Sequence, residues 1–332
     1  MEIGIAYNLK KDFAHKSGEP EDRYEEYDSD ATVDAIAGAL EANGHRAVRL
    51  GGGRALVERV LAHPPELVFN IAEGVGTRSR EAQVPAVLEM LGIPYTHSDP
   101  LTLAVTLDKS IAKRLVASHG LPTPGFVVLE SPEEAGRAAQ AKLAYPVIAK
   151  PLFEGSSMGI RRSSRVESEA ALREHLERLF ADYRQPVMVE EFCAGAEITV
   201  GILGNGAQAR IIGMMEIAPR QGCAEEFVYS LEVKRNYLEE VDYVVPPRRP
   251  PALLDEVSRV ALGCYRALEC RDVARVDLRL DREGQPKFIE VNPLPGVHPV
   301  TSDLVIMTGK TGLPYEKLIG GIVDAARRRC GI

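Results

Sequence analysis

Arg275-Val-Asp277-Leu-Arg-Leu280 and Lys287-Phe-Ile-Glu290-Val-Asn292 alternate polar and apolar residues on either side of a turn sequence, Asp281-Arg-Glu-Gly-Gln285. Strict alternation predicts two strands of a hairpin, each with one wet face and one buried face. With Glu283-Gly284 as a two-residue loop, Asp277 faces Glu290 and Arg275 faces Asn292, all four on one side. Val276, Leu278, Ile289 and Val291 then take the other side and enter the core. Two carboxylates directly opposite one another repel. A hard divalent cation removes that cost, because Mg²⁺ takes one or two carboxylates plus phosphate oxygens, and Asn292 adds a neutral amide oxygen. A solvated face whose acids are interleaved with Arg275 and Arg279 accounts for the same pattern. The tail Asn292-Pro-Leu-Pro-Gly296 stops the strand directly after the third oxygen donor and holds the two readings level.

A second stretch, Ala149-Lys150-Pro-Leu-Phe-Glu154-Gly155-Ser156-Ser157-Met-Gly159-Ile160, ends an apolar strand with a lysine and continues in small residues. Such a loop bends tightly and offers backbone N–H groups to an anion; an ordinary surface turn has a similar composition. Lys109 opens a helix after Leu107-Asp108, where a cation opposes the helix dipole and so points to a role beyond helix stability.

Strands alternate with helices up to about residue 98: Ile3–Tyr7, a helix from Asp30 closed by Gly44, Ala47–Leu50, a helix through Leu61, Leu67–Ile71, and a helix at Ala82–Leu91. That order predicts a small, mostly parallel α/β unit over residues 1–98. A charge-rich loop spans Lys10 to Asp28. A central unit over residues 99–189 combines a helix ending at Gly120, strand Phe126–Leu129, a helix at Pro132–Ala141, the lysine-ended strand and a helix at Glu167–Tyr183. Residues 190–332 carry strand patterns to about residue 247, a helix at Leu253–Leu268 and the hairpin, which makes this part α+β.

The chain of 332 residues is long enough for two or three domains. Its net charge of −8 and pI near 5.5 argue against a nucleic-acid backbone as partner. No apolar run approaches a membrane span and the first residues enter a strand directly, so no membrane role is expected. Five cysteines lack CxxC or zinc spacing, which fits reduced thiols in a cytoplasmic protein. Gly309-Lys-Thr311 is not a P-loop, since Leu304 stands where its first glycine belongs, and Gly51-Gly-Gly53 lacks dinucleotide spacing.

Taken in order, Lys150-Pro, Glu154-Gly-Ser-Ser-Met-Gly, Val189-Glu190-Glu191-Phe with Glu197, Arg275-Val-Asp277 and Glu290-Val-Asn292-Pro resemble the ATP-grasp fold. Gly92-Ile-Pro-Tyr-Thr, Asp108-Lys109 and Glu154-Gly-Ser-Ser are similar to D-alanine–D-alanine ligases, and the resemblance covers residues 66 to 320. It implies that Lys109, Lys150 and Lys234 reach the ATP phosphates and that the loop through Glu154, Gly155, Ser156 and Ser157 closes over the transferred phosphoryl group. It also implies that Glu190 and Glu191 lie at the adenine and Glu197 at the ribose. Asp277, Glu290 and Asn292 would hold two Mg²⁺ ions, with Mn²⁺ an alternative. Arg275 and Gly296 would stabilise the acyl phosphate and the tetrahedral state after it. Ser156 and Glu25 would seat the first amino acid. The implied reaction is D-alanine + D-alanine + ATP to dipeptide, ADP and phosphate, in a protein that is often a homodimer. Ligation of other amino acids, and a nucleotide-binding homologue without turnover, are the alternatives.

The family pattern departs at three places. Asn70-Ile-Ala-Glu73-Gly-Val-Gly76 replaces a His-Gly segment and an acidic glycine loop; Lys234-Arg235 replaces a Lys-Tyr pair; and the hydroxyl after the hairpin is Thr301 or Ser302. An Arg235 turned inward needs an anion such as Glu25, Glu73 or a substrate group.

Overall fold

The computed structural model describes residues 1–76 and 78–332. Its first unit holds strands β1 (Glu2–Ala6), β2 (Arg46–Gly51) and β3 (Leu67–Asn70) in a parallel sheet ordered β2-β1-β3. Helices α1 (Asp30–Ala42), α2 (Gly53–Ala62) and α3 (Gln83–Met90) connect or follow them. Ser29 caps α1 by accepting the Thr32 N–H, and Gly44, at φ +80°, supplies the left-handed turn that ends it.

Helix α4 (Pro100–Leu107) was not legible in the sequence. Leu101-Thr-Leu-Ala-Val-Thr-Leu107 mixes apolar and β-branched residues without helical spacing. The deciding signal is local: Asp99 caps the Thr102 N–H and Pro100 occupies the first helical turn. Asp108, with ψ of 94°, breaks the chain there and caps α5 (Lys109–Ser118) by accepting from Ser110 and Ile111.

The central sheet is antiparallel, β4-β7-β5-β6, from β4 (Phe126–Leu129), β5 (Val147–Pro151), β6 (Arg165–Val166) and β7 (Val187–Glu191). The helix expected at Pro132–Ala141 is a 3-10 turn (Pro132–Gly136) followed by α6 (Arg137–Gln140), and α7 (Glu169–Tyr183) covers the sheet. The third sheet, β10-β9-β8-β11-β12, is antiparallel throughout. It consists of β8 (Glu197–Leu203), β9 (Arg210–Pro219), β10 (Val241–Val244), β11 (Val273–Leu280) and β12 (Pro286–Asn292). Between β9 and β10 two short helices, α8 (Leu231–Arg235) and α9 (Tyr237–Glu240), interrupt what reads as strand. Helices α10 (Pro251–Ala267), α11 (Asp303–Lys310) and α12 (Tyr315–Cys330) complete the chain.

The hairpin pairs Asp277 with Glu290 and Arg275 with Asn292, but the expected two-residue loop is absent. The strands run on to Leu280 opposite Pro286, and a bulge between Asp277 and Leu278 shifts the register by one residue at Ile289. The longer loop and the bulge cancel at the acidic pair. The expected core position of Ile289 is therefore wrong: Phe288 fills the core with Val276, Leu278 and Val291, while Ile289 lines the cleft beside Glu290.

One core joins the beginning and end of the chain, with Ile3, Ile5 and Phe69 packed among Leu318, Ile322 and Val323. Asp272, fully buried, ties the same regions by polar contacts. It accepts from Arg329 Nη2 at 2.7 Å, Asn205 Nδ2 at 2.8 Å and the His97 N–H at 3.0 Å. Asp272→Ala strands a half-buried guanidinium and is expected to cost about 3 kcal/mol in urea unfolding. A loss below about 1 kcal/mol, the range of surface ion pairs, would show that Arg329 finds water instead.

Candidate active site

Two adjoining cavities lie where the central and third sheets meet the N-terminal unit. The larger has a volume of about 520 Å³ and the smaller about 80 Å³; Tyr229, Lys234, Arg275, Glu290 and Asp303 line both. The smaller is a slot with Ile148, Ile160, Val228 and Ile289 among its apolar walls and Glu197 and Lys150 among its polar ones.

Lysines converge at the slot. β5 delivers Lys150, whose Nζ lies 2.5 Å from Glu190 Oε1, and α5 delivers Lys113, 2.8 Å from Glu190 Oε2. All three side chains are buried. Burial alone would raise the Glu190 carboxyl, yet Lys113 and Lys150 outweigh it and hold the group below its ordinary value. The Glu190 carboxylate is thus committed to lysines, and that of Glu191 accepts the Gly125 N–H at 3.1 Å; both residues still border the slot. Lys113 escaped the sequence reading, although it follows Lys109 by four residues and so shares its helix face. Lys109 donates to the Glu154 carbonyl and lies 3.9 Å from Glu290. The Glu154 carboxylate turns away from the lysines, accepting from Gln185 at 2.6 Å and facing Arg80 at 3.3 Å.

At the hairpin, Asp277 accepts two bonds from Arg275 (Nε 2.9 Å, Nη2 2.8 Å), one from Asn292 Nδ2 (3.0 Å) and one from Thr199 Oγ1. Glu290, opposite, is more open. Its burial favours the neutral acid, but Lys109, Lys150, Lys234 and Arg275 pull its pKa down to about 2. A permanently ionised carboxylate beside a second one suits a hard cation that completes its shell with phosphate oxygens. No cluster of three or more His, Cys, Asp or Glu ligands occurs among the described residues. Arg275 also approaches Asp303 Oδ2 at 3.6 Å. Asp303 in turn accepts from Tyr229 (3.1 Å) and Tyr243 (3.2 Å). This Tyr-Tyr-Asp brace has no signature in the sequence, since its members lie on three separate elements.

The small-residue loop crosses the mouth of the site. Ser156 and Ser157 sit at φ +48° and +59°, a left-handed conformation that non-glycine residues adopt at a cost. Gly159, at φ +74°, packs so closely on Pro151 that a Cβ would lie 2.4 Å from its ring. The loop is held from outside: Gly159 N–H donates to Asp22 at 3.0 Å and Ser157 Oγ to the Tyr229 carbonyl at 3.2 Å. Leu231 N–H, at the start of α8, donates to the Ile160 carbonyl at 3.1 Å. Arg235, on α8, meets Glu25 Oε2 and Glu21 Oε1, each at 3.1 Å, and Lys10 holds Glu25 from the other side at 2.9 Å. Of the anions considered for Arg235, Glu25 is a partner and Glu73 is not. Lys234 Nζ lies over the Tyr229 ring, 5.1 Å from its centroid.

Gly296, Thr301 and Ser302 line the larger cavity. Ser302 Oγ accepts the His298 N–H at 2.9 Å and would lie 2.9 Å from a Cβ at Gly296, so a side chain there has to displace that hydroxyl. Opposite them stands an acidic wall that the sequence did not reveal: Glu26, Asp28, Glu73 and Glu81, around Arg80. Burial pushes Asp28 up to about 7, and burial with neighbouring acids takes Glu81 to about 7 against the pull of Arg80. The Glu73 carboxyl is raised by burial and by Glu81 and Glu26. Glu197, in the slot, is likewise raised to about 7 by burial, with Arg279 opposing.

Two antiparallel sheets closing on a slot of lysines and facing carboxylates, behind a small parallel unit, define an ATP-grasp protein. A solved D-alanine–D-alanine ligase from Bacillus anthracis, complexed with ATP, shares the fold at a TM-score of 0.74 and 24% identity, covering 100% of this chain and 99% of that one. The model of the D-ala D-ala ligase C-terminus matches residues 115–324. A D-alanine–D-alanine ligase of Pelotomaculum thermopropionicum is 31% identical over 309 residues, 91% of this chain and 92% of that one. An uncharacterised protein of Sinorhizobium fredii is 36% identical over 310 residues, 90% and 88% respectively. The chain belongs to the D-alanine–D-alanine ligase family.

Asp28 provides a test of the acidic wall. Its folded-state pKa is about 7 against an ordinary 3.8, so between those values the folded chain holds a proton that the unfolded chain has released. Its contribution to stability therefore falls as pH rises across that window. Asp28→Asn lacks this dependence and should gain in thermal midpoint on the wild type from about pH 4 to about pH 7. A constant difference between the two across this range would show that Asp28 ionises normally.

Proposed function

We propose that the chain is an ATP-dependent ligase that joins the carboxylate of one amino acid to the amine of a second, the D-alanine–D-alanine type of reaction. The observation that carries this reading is Arg275 and the facing Asp277–Glu290 pair at the junction of the lysine slot with the larger cavity. A pure nucleotide binder has no use for a guanidinium at that junction.

In this reading the adenosine occupies the slot, with Glu197 at the ribose, and Lys109 and Lys150 neutralise phosphate charge as point cations. Asp277, Glu290 and Asn292 are the residues that would hold Mg²⁺, which when bound neutralises the phosphates and draws charge off the transferred group. The carboxylate of the first amino acid attacks the γ-phosphorus; a C–O–P bond forms and the bond to the ADP oxygen breaks. Arg275, braced by Asp277 and Asp303, faces the oxygens of the acyl phosphate. The loop from Glu154 to Gly159 covers the group and keeps water from it. The second amino acid's neutral amine attacks the acyl carbon, a C–N bond forms, the C–O bond to phosphate breaks, and the proton lost by the amine leaves with the phosphate. The Gly296 backbone N–H serves the tetrahedral oxygen, with donors aimed where charge develops.

Joining amino acids other than D-alanine is a second reading, favoured by one observation. Glu25, the residue expected to receive the first amino group, is closed off by Arg235 and Lys10.

Glu290→Gln is expected to lower amino-acid-dependent phosphate release about 100-fold, through the several kcal/mol that metal charge stabilisation supplies. It should leave folding intact. Asp277→Asn should lose activity and stability together, because Arg275 loses its main partner; this differs from a hairpin in which the acids merely repel. Near-normal turnover of Glu290→Gln would refute the metal assignment.

Arg235→Tyr frees Glu25 of one cation and should change the relative kcat/KM among amino acids. An unchanged ranking, with all rates shifted alike, would make Arg235 a latch without influence on specificity.

A further inference from the structure

The acidic wall is left over by the reaction proposed above. Its one guanidinium, Arg80, is spent: Nε and Nη2 each donate to Glu26 at 2.8 Å, and Nη1 donates to the Phe153 carbonyl at 2.9 Å. Lys109 is committed to Glu290 and to the Glu154 carbonyl. Asp28, Glu73 and Glu81 take part in no ion pair among the described residues. Glu81 is the decisive one. It is 9% exposed, makes no hydrogen bond or ion pair among the described residues, and lines the larger cavity. A buried carboxyl without a partner costs stability unless something binds it.

Burial has raised Asp28 and Glu81 to about 7, so alone they hold their protons; a cation beside them draws the protons off, and the nucleotide, an anion, cannot be that cation. The hairpin site is felt at Glu81, where Lys109 lowers and Glu290 raises the carboxyl; Asp28 precedes α1 and Glu73 follows β3. A cation that serves the wall as a whole arrives with the amino acid. An α-ammonium brings a single charge, and the wall presents three acids without an ion pair among the described residues, so a second ammonium has acids left to meet. Glu25, moreover, already carries two cations.

We propose that the first substrate is a diamino acid, whose side-chain ammonium is received by Glu81 with Asp28 and Glu73 beside it. This rests on the ligase reading, since it assigns the substrate of that site. An ammonium offers three donors without an acceptor, which matches carboxylates on more than one side.

Calorimetry on the full chain with Mg²⁺ and a non-hydrolysable ATP analogue tests the assignment without turnover. Lysine in both enantiomers is compared with norleucine, which has the same carbon chain and no side-chain ammonium. One enantiomer of lysine should bind at least ten-fold more tightly than the matching norleucine, and Glu81→Gln should bring the two within about two-fold. Phosphate release with hydrolysable ATP should show the same order in kcat/KM. Norleucine or alanine binding as tightly as lysine overturns the proposal. A preference for lysine that Glu81→Gln leaves untouched overturns it as well. Should Glu81→Gln not fold, Glu73→Gln and Asp28→Asn carry the same comparison. Absence of phosphate release with every amino acid would refute the ligase reading instead, while the lysine-to-norleucine ratio still decides what the wall receives.

Discussion

Two carboxylates facing each other across one antiparallel hairpin are the constraint around which this cleft is arranged. Cross-strand neighbours of like charge destabilise a sheet, and Asp277 and Glu290 are tolerated for different reasons. Asp277 is held by bonds from Arg275, Asn292 and Thr199. Glu290 keeps open surface and is balanced at longer range by Lys109, Lys150 and Lys234. The strands that carry the pair lie beside β8, which contributes Thr199, so the position of the pair depends on the whole third sheet. The bulge at Ile289 adds to this. It turns two successive residues toward the cleft and gives the slot an apolar wall next to its acid.

Acids line both ends of the cleft, and the ends differ in how those acids are answered. At the slot, Lys150 and Lys113 pair with Glu190, and Arg275 pairs with Asp277. In the larger cavity, Glu26, Asp28, Glu73 and Glu81 of the N-terminal unit stand around Arg80. Like charges are kept close together there. Buried pairs repay their desolvation only where geometry is good and remaining donors are satisfied. Lys113 meets that condition, with Glu190, the Phe288 carbonyl and Thr123 all within 3.1 Å. Glu81 does not.

Closure of the site runs through contacts between distant parts of the chain. The serine loop bonds to Asp22 and Tyr229, and α8 bonds to Ile160 and, through Arg235, to Glu25 and Glu21. The charge-rich stretch from Lys10 to Asp28 thereby acts as the far jaw of the cleft. Its composition alone marked it only as a loop. Its partners on the serine loop and α8 are more than a hundred residues away, and no local spacing announces them.

Elements ruled by local periodicity were legible in the sequence: the parallel strands of the first unit, strand Phe126–Leu129, helix α7 and the acidic pair of the hairpin. Alternation and spacing determine which face a residue shows, and that is a nearest-neighbour property. Order along the chain also tied Lys150, the serine loop, Asp277, Glu290 and Asn292 to one family. Tertiary structure decided the rest. Helix α4 reads as no helix until its cap is seen, α8 is tied to the loop at Ile160 by the Leu231 N–H, and the bulge moves Ile289 out of the core. The Tyr229–Tyr243–Asp303 brace, the Lys113–Glu190–Lys150 triad and the acidic wall each join residues far apart in the chain. Whether such a carboxylate is paired, raised in pKa or left facing a cavity depends on burial and on the charges folded against it. Those are properties of the packed molecule, and the sequence order of the residues carries no record of them.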